Sequence, residues 1–307
     1  MARTTRPASS KYDFGVQHTA LCAADGTPSG WFGIQRTDNN KVIGVSSEKY
    51  GIVKNDDVIT AVKEALTANK ETLGDYTEEV NVCRDGARMY GEFNFTNFTR
   101  EIPRADRRVG DVVGMRLTAN NSYDRSCRIS LSVGMLRLAC TNGMTTLEQE
   151  QGLTKRHSLS VDVSFIRDAI SDCITKFEAS VDHLGTLSKT SITVDQGSNF
   201  LQNLTDKKII TELVRTGIAN VWQKGTQGVE TSSDQAGNLF NLYNASTQYI
   251  TREVTRDRAG NANRLEYGQK VDRAILGRLT EVSQSSSQFD KWTAQPKPKK
   301  DDLVLSA

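Results

Sequence analysis

Cysteine and histidine are scarce in this chain of 307 residues, with five of the first and three of the second. No Cys-x-x-Cys pair occurs, and His18, His157 and His183 stand far from one another and from any cysteine. Zinc sites are built from closely spaced ligand pairs, so the sequence predicts no metal site and no cofactor, and reduced buried thiols instead. Phosphate loops, Gly-x-Ser-x-Gly elbows and His-Glu-x-x-His helices are also missing, which points to a protein that is not an enzyme. No apolar run approaches the roughly 20 residues that cross a bilayer. The basic start Met1–Pro7 lacks the apolar stretch of a signal peptide, so a cytoplasmic protein without membrane contact is expected. Aromatics make up only 7% of the residues. Lys plus Arg (39) nearly balance Asp plus Glu (37), which excludes a polycationic coat for DNA.

The pattern that is present changes period along the chain. Residues 1–11 are polar and are expected to be a flexible N-terminus. Short apolar stretches from Trp31 to Tyr50, Val42–Val45 the best of them, predict strands. Asn55-Asp56-Asp57 offers a cap to a helix carrying Val58, Ile59, Val62 and Leu66 and ending near Asn69. Val80 and Val82, the turn signal Asp85-Gly86, and Met89, Phe93 and Phe95 beyond it predict a β-hairpin. Asp111–Ala119, a turn over 120–124 and Cys127–Cys140 predict a second one, with a change of apolar frame at Gly134 suggesting a bulge. From about residue 160 the period becomes helical. Ser160 and Thr205 are predicted caps, and further helices carry Leu239–Ile250 and Val271–Leu279.

Strands first and helices afterwards predict an α+β fold, an antiparallel hairpin sheet packed against helices from the C-terminal half. The expectation is a single domain over 12–282, β-rich at 31–143 and helical at 160–282. Residues 283–307 read as a Ser- and Pro/Lys-rich linker with a tip of Asp301, Asp302, Leu303, Val304 and Leu305. Such a tip suits a disordered tail or a peptide that docks a replication or recombination partner.

Near-neutral overall charge conceals a segregation. Residues 84–137 hold ten arginines, no lysine and six acids, whereas residues 51–83 hold three lysines and seven acids. Guanidinium groups bind phosphate in two-pronged fashion and stack on bases, which ammonium groups cannot do. Arg100, Arg104, Arg107 and Arg108 fall in the connection between the predicted hairpins, and Arg116, Arg125, Arg128 and Tyr123 lie on the second one. These eight residues are the candidate nucleic-acid contacts.

Four stretches carry a resemblance: Tyr50-Gly51-Ile52-Val53-Lys54-Asn55, Asn121-Ser122-Tyr123-Asp124-Arg125-Ser126, Leu136-Arg137-Leu138-Ala139-Cys140-Thr141-Asn142-Gly143 and Asn244-Ala245-Ser246-Thr247-Gln248-Tyr249. Their order and spacing over roughly residues 12–255 resemble the DUF932 family of phage- and plasmid-encoded proteins. The chain departs from that pattern at Gln248, where an acid is expected, and after Tyr249, where no histidine follows. The resemblance implies a setting of replication and recombination. A sheet of hairpins, a packed helix and a basic groove are also similar to Rad52-like single-strand annealing proteins of phages.

The expected function is therefore a phage-encoded single-stranded DNA-binding or annealing protein, with RNA as the other substrate of this kind. It would act without a catalytic residue and assemble as a homo-oligomeric ring or filament. An oligomeric phage structural or assembly protein with no nucleic-acid task is the alternative. A metal-dependent nuclease using Asp111 and Asp124 is the third, and isolated acids in a solvated β region argue against it.

Overall fold

A computed structural model of the chain describes residues 11–103, 112–137, 142–145, 154–224, 237–255 and 265–296. β1 (Val16–Cys22), β2 (Pro28–Arg36) and β3 (Val42–Ser46) form a three-stranded antiparallel sheet in that order. β1 is invisible to periodicity because no residue of it is fully buried, so no apolar alternation is imposed on it. α1 (Asn55–Ala68) buries Val58, Ile59, Val62 and Leu66 as their spacing predicts, and the short α2 (Lys70–Leu73) follows. Asn55 is not the cap. Lys54 holds that position without a side-chain cap bond, and Asn55 is already inside the helix and buried.

The second sheet runs in the order β4 (Thr77–Cys83), β5 (Arg88–Glu101), β6 (Val112–Ser122), β7 (Ile129–Arg137) and β8 (Asn142–Thr145), and β9 (Thr154–Lys155) also pairs with β7. β4 and β5 pair from Thr77↔Asn94 to Cys83↔Arg88, the hairpin expected around Asp85-Gly86. Met89, Phe93 and Phe95 are wholly buried, and Gly91 between them leaves room for Ile59 of α1. Every residue from Leu131 to Leu136 is buried. Leu138 and Cys140, on which the expected change of frame after Gly134 rests, lie outside the described residues.

The helical half holds α3 (Phe165–Lys189), α4 (Val194–Asp206), α5 (Glu212–Lys224), α6 (Leu239–Tyr249), α7 (Leu265–Gln284) and α8 (Ser286–Thr293). Neither predicted cap in this half is one. α3 begins after Ser164, whose backbone N–H and hydroxyl both donate to Asp162, and Thr205 lies inside α4. The cap that was missed is Thr193, whose hydroxyl accepts from Gln196 N while the Gln196 side chain accepts from Thr193 N, a reciprocal box. Residues 286–293 are not linker. Their helix buries Trp292 against Phe200, and Asn203 Nδ2 donates to the Trp292 carbonyl at 2.9 Å.

The protein is thus α+β. It divides into two compact units interleaved in sequence. The first comprises Met1–Thr99, Gly114–Met135 and Glu148–Phe177, the second Arg100–Val113, Leu136–Leu147 and Glu178–Ala307. In the first, Phe14, Ile34, Ile43, Tyr50, Ala87 and Tyr123 form one core cluster. In the second, Gly197 of α4 admits the Trp222 indole of α5, and Leu239–Gln248 of α6 are buried without exception.

Candidate nucleic-acid interface

Three turns of the first unit meet at one edge. The β4–β5 turn places Arg84, Asp85 and Gly86 in succession at φ 53°, 59° and 96°. The last value suits only glycine, and a Cβ at Gly86 would strike the Phe14 ring. The Asp85 carbonyl accepts from Arg36 Nη1 at 2.7 Å, and the Asp85 carboxylate holds Lys41 Nζ at 2.6 Å, which ties in the β2–β3 turn. On the other side Tyr123 N donates to the Ala87 carbonyl at 2.7 Å, which ties in the β6–β7 turn. There Asp124 Oδ1 accepts from Ser126 N at 3.0 Å, and Arg125 takes φ 62°.

Asp124 Oδ2 also accepts from Arg88 Nε at 3.2 Å and Arg84 Nη1 at 3.3 Å. Burial works to raise the Asp124 carboxyl, but the Ser126 hydrogen bonds and the Arg88 guanidinium hold it below the ordinary carboxylate value. The edge is basic on balance. Segments 36–41, 84–88 and 123–128, which make the three turns, carry the six cations Arg36, Lys41, Arg84, Arg88, Arg125 and Arg128 and the three acids Asp38, Asp85 and Asp124. Arg125 and Arg128 are exposed, and the Arg84 side chain is 64% exposed despite its pairing.

A buried polar joint holds the β6–β7 turn in place. The Tyr50 hydroxyl donates to the Ser122 carbonyl at 2.6 Å, and Asn121 Nδ2 lies 2.9 Å from both the Val53 carbonyl and Asn55 Oδ1. The Tyr123 hydroxyl accepts from Asn55 N at 2.9 Å. Burial pushes the Tyr50 and Tyr123 hydroxyls well above the usual tyrosine value, so both stay protonated. Ser122 Oγ donates to the Cys127 carbonyl and accepts from Cys127 N, closing the loop.

The candidate residues fare differently. Tyr123 is 0% exposed and offers no surface for a base to stack on. Arg100 is paired with Glu178 at 2.5 Å; Arg116 donates to Asn94 Oδ1 at 2.7 Å and lies 3.8 Å from Glu92. Arg125 and Arg128 fall together on the exposed turn. Arg104, Arg107, Arg108, the acid Asp111 and the tail tip Asp301–Leu305 lie outside the described residues. Arg36, Lys41, Arg84 and Arg88 belong to this edge and were not among the candidates. Arg84 adjoins the Asp85-Gly86 turn signal, but only the folded sheets bring the β2–β3 turn beside it.

A separate cleft of about 640 Å³ along α1 carries the opposite charge, with Asp56, Asp57, Glu64 and Asp162 against Arg167, which is paired with Glu64. Among the described residues no group of three or more His, Cys, Asp or Glu could hold a metal ion. None of the described helices is long and apolar enough to cross a membrane.

A family model described as a domain of unknown function, DUF932, matches residues 42–274. The chain belongs to the DUF932 family. Two of the stretches that carry the likeness, Tyr50–Asn55 and Asn121–Ser126, are the two sides of the buried joint in this DUF932 domain. A third, Asn244–Tyr249, lies on the buried helix α6. Neither the curated proteins nor the solved structures contain a match to the chain.

Proposed function

We infer that this protein binds single-stranded nucleic acid without catalysing a reaction and acts in annealing during the replication or recombination of a phage or related element. The observation that supports this reading is the edge where three turns bring six cations against three carboxylates, with Arg84, Arg125 and Arg128 presented to solvent. Arginines on turns grip a flexible backbone and leave its bases free to pair. Oligomerisation into a ring or filament would align the edges of successive copies into one track.

Binding of a fluorescent oligothymidylate, followed by polarisation over a range of salt, tests the reading. Affinity is expected to fall steeply with salt as counterions are released. The double variant Arg125→Glu, Arg128→Glu should weaken binding at least tenfold and reduce the salt slope by about 1.4, at roughly 0.7 per phosphate contact. An affinity indifferent to salt, or no binding at all, overturns it. Large defined particles in light scattering without oligonucleotide binding would favour a structural or assembly role.

A further inference from the structure

The sheet β1-β2-β3 has two unlike faces. Ile34, aligned with His18 and Gly44, is 0% exposed and belongs to the core. The opposite face aligns Thr19, Gly33 and Val45 across the three strands. Trp31 and Gln35 lie two residues either side of Gly33 on the same face. A side chain at Gly33 would meet Val42 and Leu21, so these two flank the glycine. Solvent-facing sheet surfaces are normally polar. Here Trp31 is 48% exposed, Val45 47% and Val42 42%, while the other two tryptophans, Trp222 and Trp292, are buried.

This open face carries no charged side chain in its rows, and one end of it runs into the basic edge. Lys41 immediately precedes Val42, and its ammonium reaches the β4–β5 turn through Asp85. From Trp31 to Arg36 the strand advances about 17 Å, at roughly 3.4 Å per residue. An apolar face with an exposed indole, a polar pair in Thr19 and Gln35 bonded at 2.9 Å, and cations at one end combines a stacking platform with a phosphate grip. Apolar patches of this kind also suit protein partners. The adjoining cations favour an anionic polymer with flat apolar bases.

We propose that the outer face of β1-β2-β3, centred on Trp31, is the platform on which unpaired bases of a single-stranded nucleic acid stack while the neighbouring turns hold its backbone. This inference rests on the reading given under Proposed function. Stacking tolerates any base, since each has a π-face. It needs an unpaired strand, because a duplex keeps its bases stacked on one another.

The experiment is titration of the full chain with oligothymidylate, and with a duplex of equal length, followed by tryptophan fluorescence. Trp31 is the tryptophan that solvent reaches, so single strands should quench the emission and protect it from acrylamide, and duplex should do neither. Trp31→Ala should weaken single-strand binding about five- to a hundredfold, with the salt slope unchanged because no phosphate contact is lost. Trp31→Phe, which keeps a ring, should bind within a few-fold of the parent and lose the quenching. Salt-sensitive binding that Trp31→Ala leaves untouched overturns this inference and leaves the proposed function standing. Absence of oligonucleotide binding by the parent protein overturns both. A change of particle size in Trp31→Ala without a change in affinity also overturns it and assigns the face to contacts between copies.

Discussion

At the scale of single residues, Tyr123 joins two elements that the sequence gives no reason to connect. Its hydroxyl accepts the backbone N–H of Asn55, in the first turn of α1, where helical N–H groups have no carbonyl partner. The cap that Lys54 does not supply comes from a turn 68 residues away in sequence. Tyr123→Phe should therefore cost about 1–2 kcal/mol in urea unfolding and leave oligonucleotide affinity unchanged; an aromatic contact with bases would show the reverse. Asn121→Ala leaves the Val53 carbonyl and Asn55 Oδ1 without their shared donor. It should cost about 2–3 kcal/mol by the same measurement. The sequence marked Asn121 and Asp124 alike as turn formers, because Asn and Asp favour turns wherever they occur. Only contacts distant in sequence distinguish Asp124, which builds its turn, from Asn121, which braces α1.

Among the elements, the hairpin β4–β5 and the apolar faces of α1 and α7 were legible, since their burial is one-sided and leaves a clear period. β1 and α8 were not. β1 lies at a sheet edge with no fully buried residue, and α8 has few apolar residues and follows a serine run that resembles a linker. α8 is nevertheless anchored. Trp292 is 3% exposed, and Asn199 and Asn203 of α4 both donate to its last carbonyls. Trp292→Ala should lower stability by about 3–5 kcal/mol, the usual cost of emptying a buried aromatic site, as read by thermal unfolding. A tail of the kind the composition suggested would show no change. The capping box Thr193-x-x-Gln196 stood in the sequence as a signal for α4, but the stretch between the helical period ending at Leu184 and the cap expected at Thr205 was assigned to no element.

For the whole molecule, stability carries a pH dependence whose sign follows from burial. Burial holds His157, stacked on Tyr50 with ring centres 4.7 Å apart, below its ordinary value of 6.5, although the Gly51 backbone opposes the shift. His183, whose Nε2 lies 2.7 Å from Thr280 Oγ1, is lowered by burial as well. Unfolding lets both histidines take up protons, so their contribution is complete above 6.5 and is lost as pH falls below it. Asp124, lowered from 3.8, adds a second loss in the acid range. The urea midpoint is expected to be level around neutrality, to drop as pH falls below 6.5, and to drop again as it falls below 3.8, with His157→Gln removing part of the first step. By itself the sequence determined the α+β class, the hairpin at Asp85-Gly86, the helical second half and the basic bias of residues 84–137. Each of these is written in local period, turn chemistry or composition, which neighbouring residues carry without knowledge of the fold. Which arginines reach solvent, that Tyr123 is core, that Trp31 is open and that three turns share one edge were decided only by the tertiary structure. A side chain's exposure and its ion-pair partner depend on strands and helices tens of residues away.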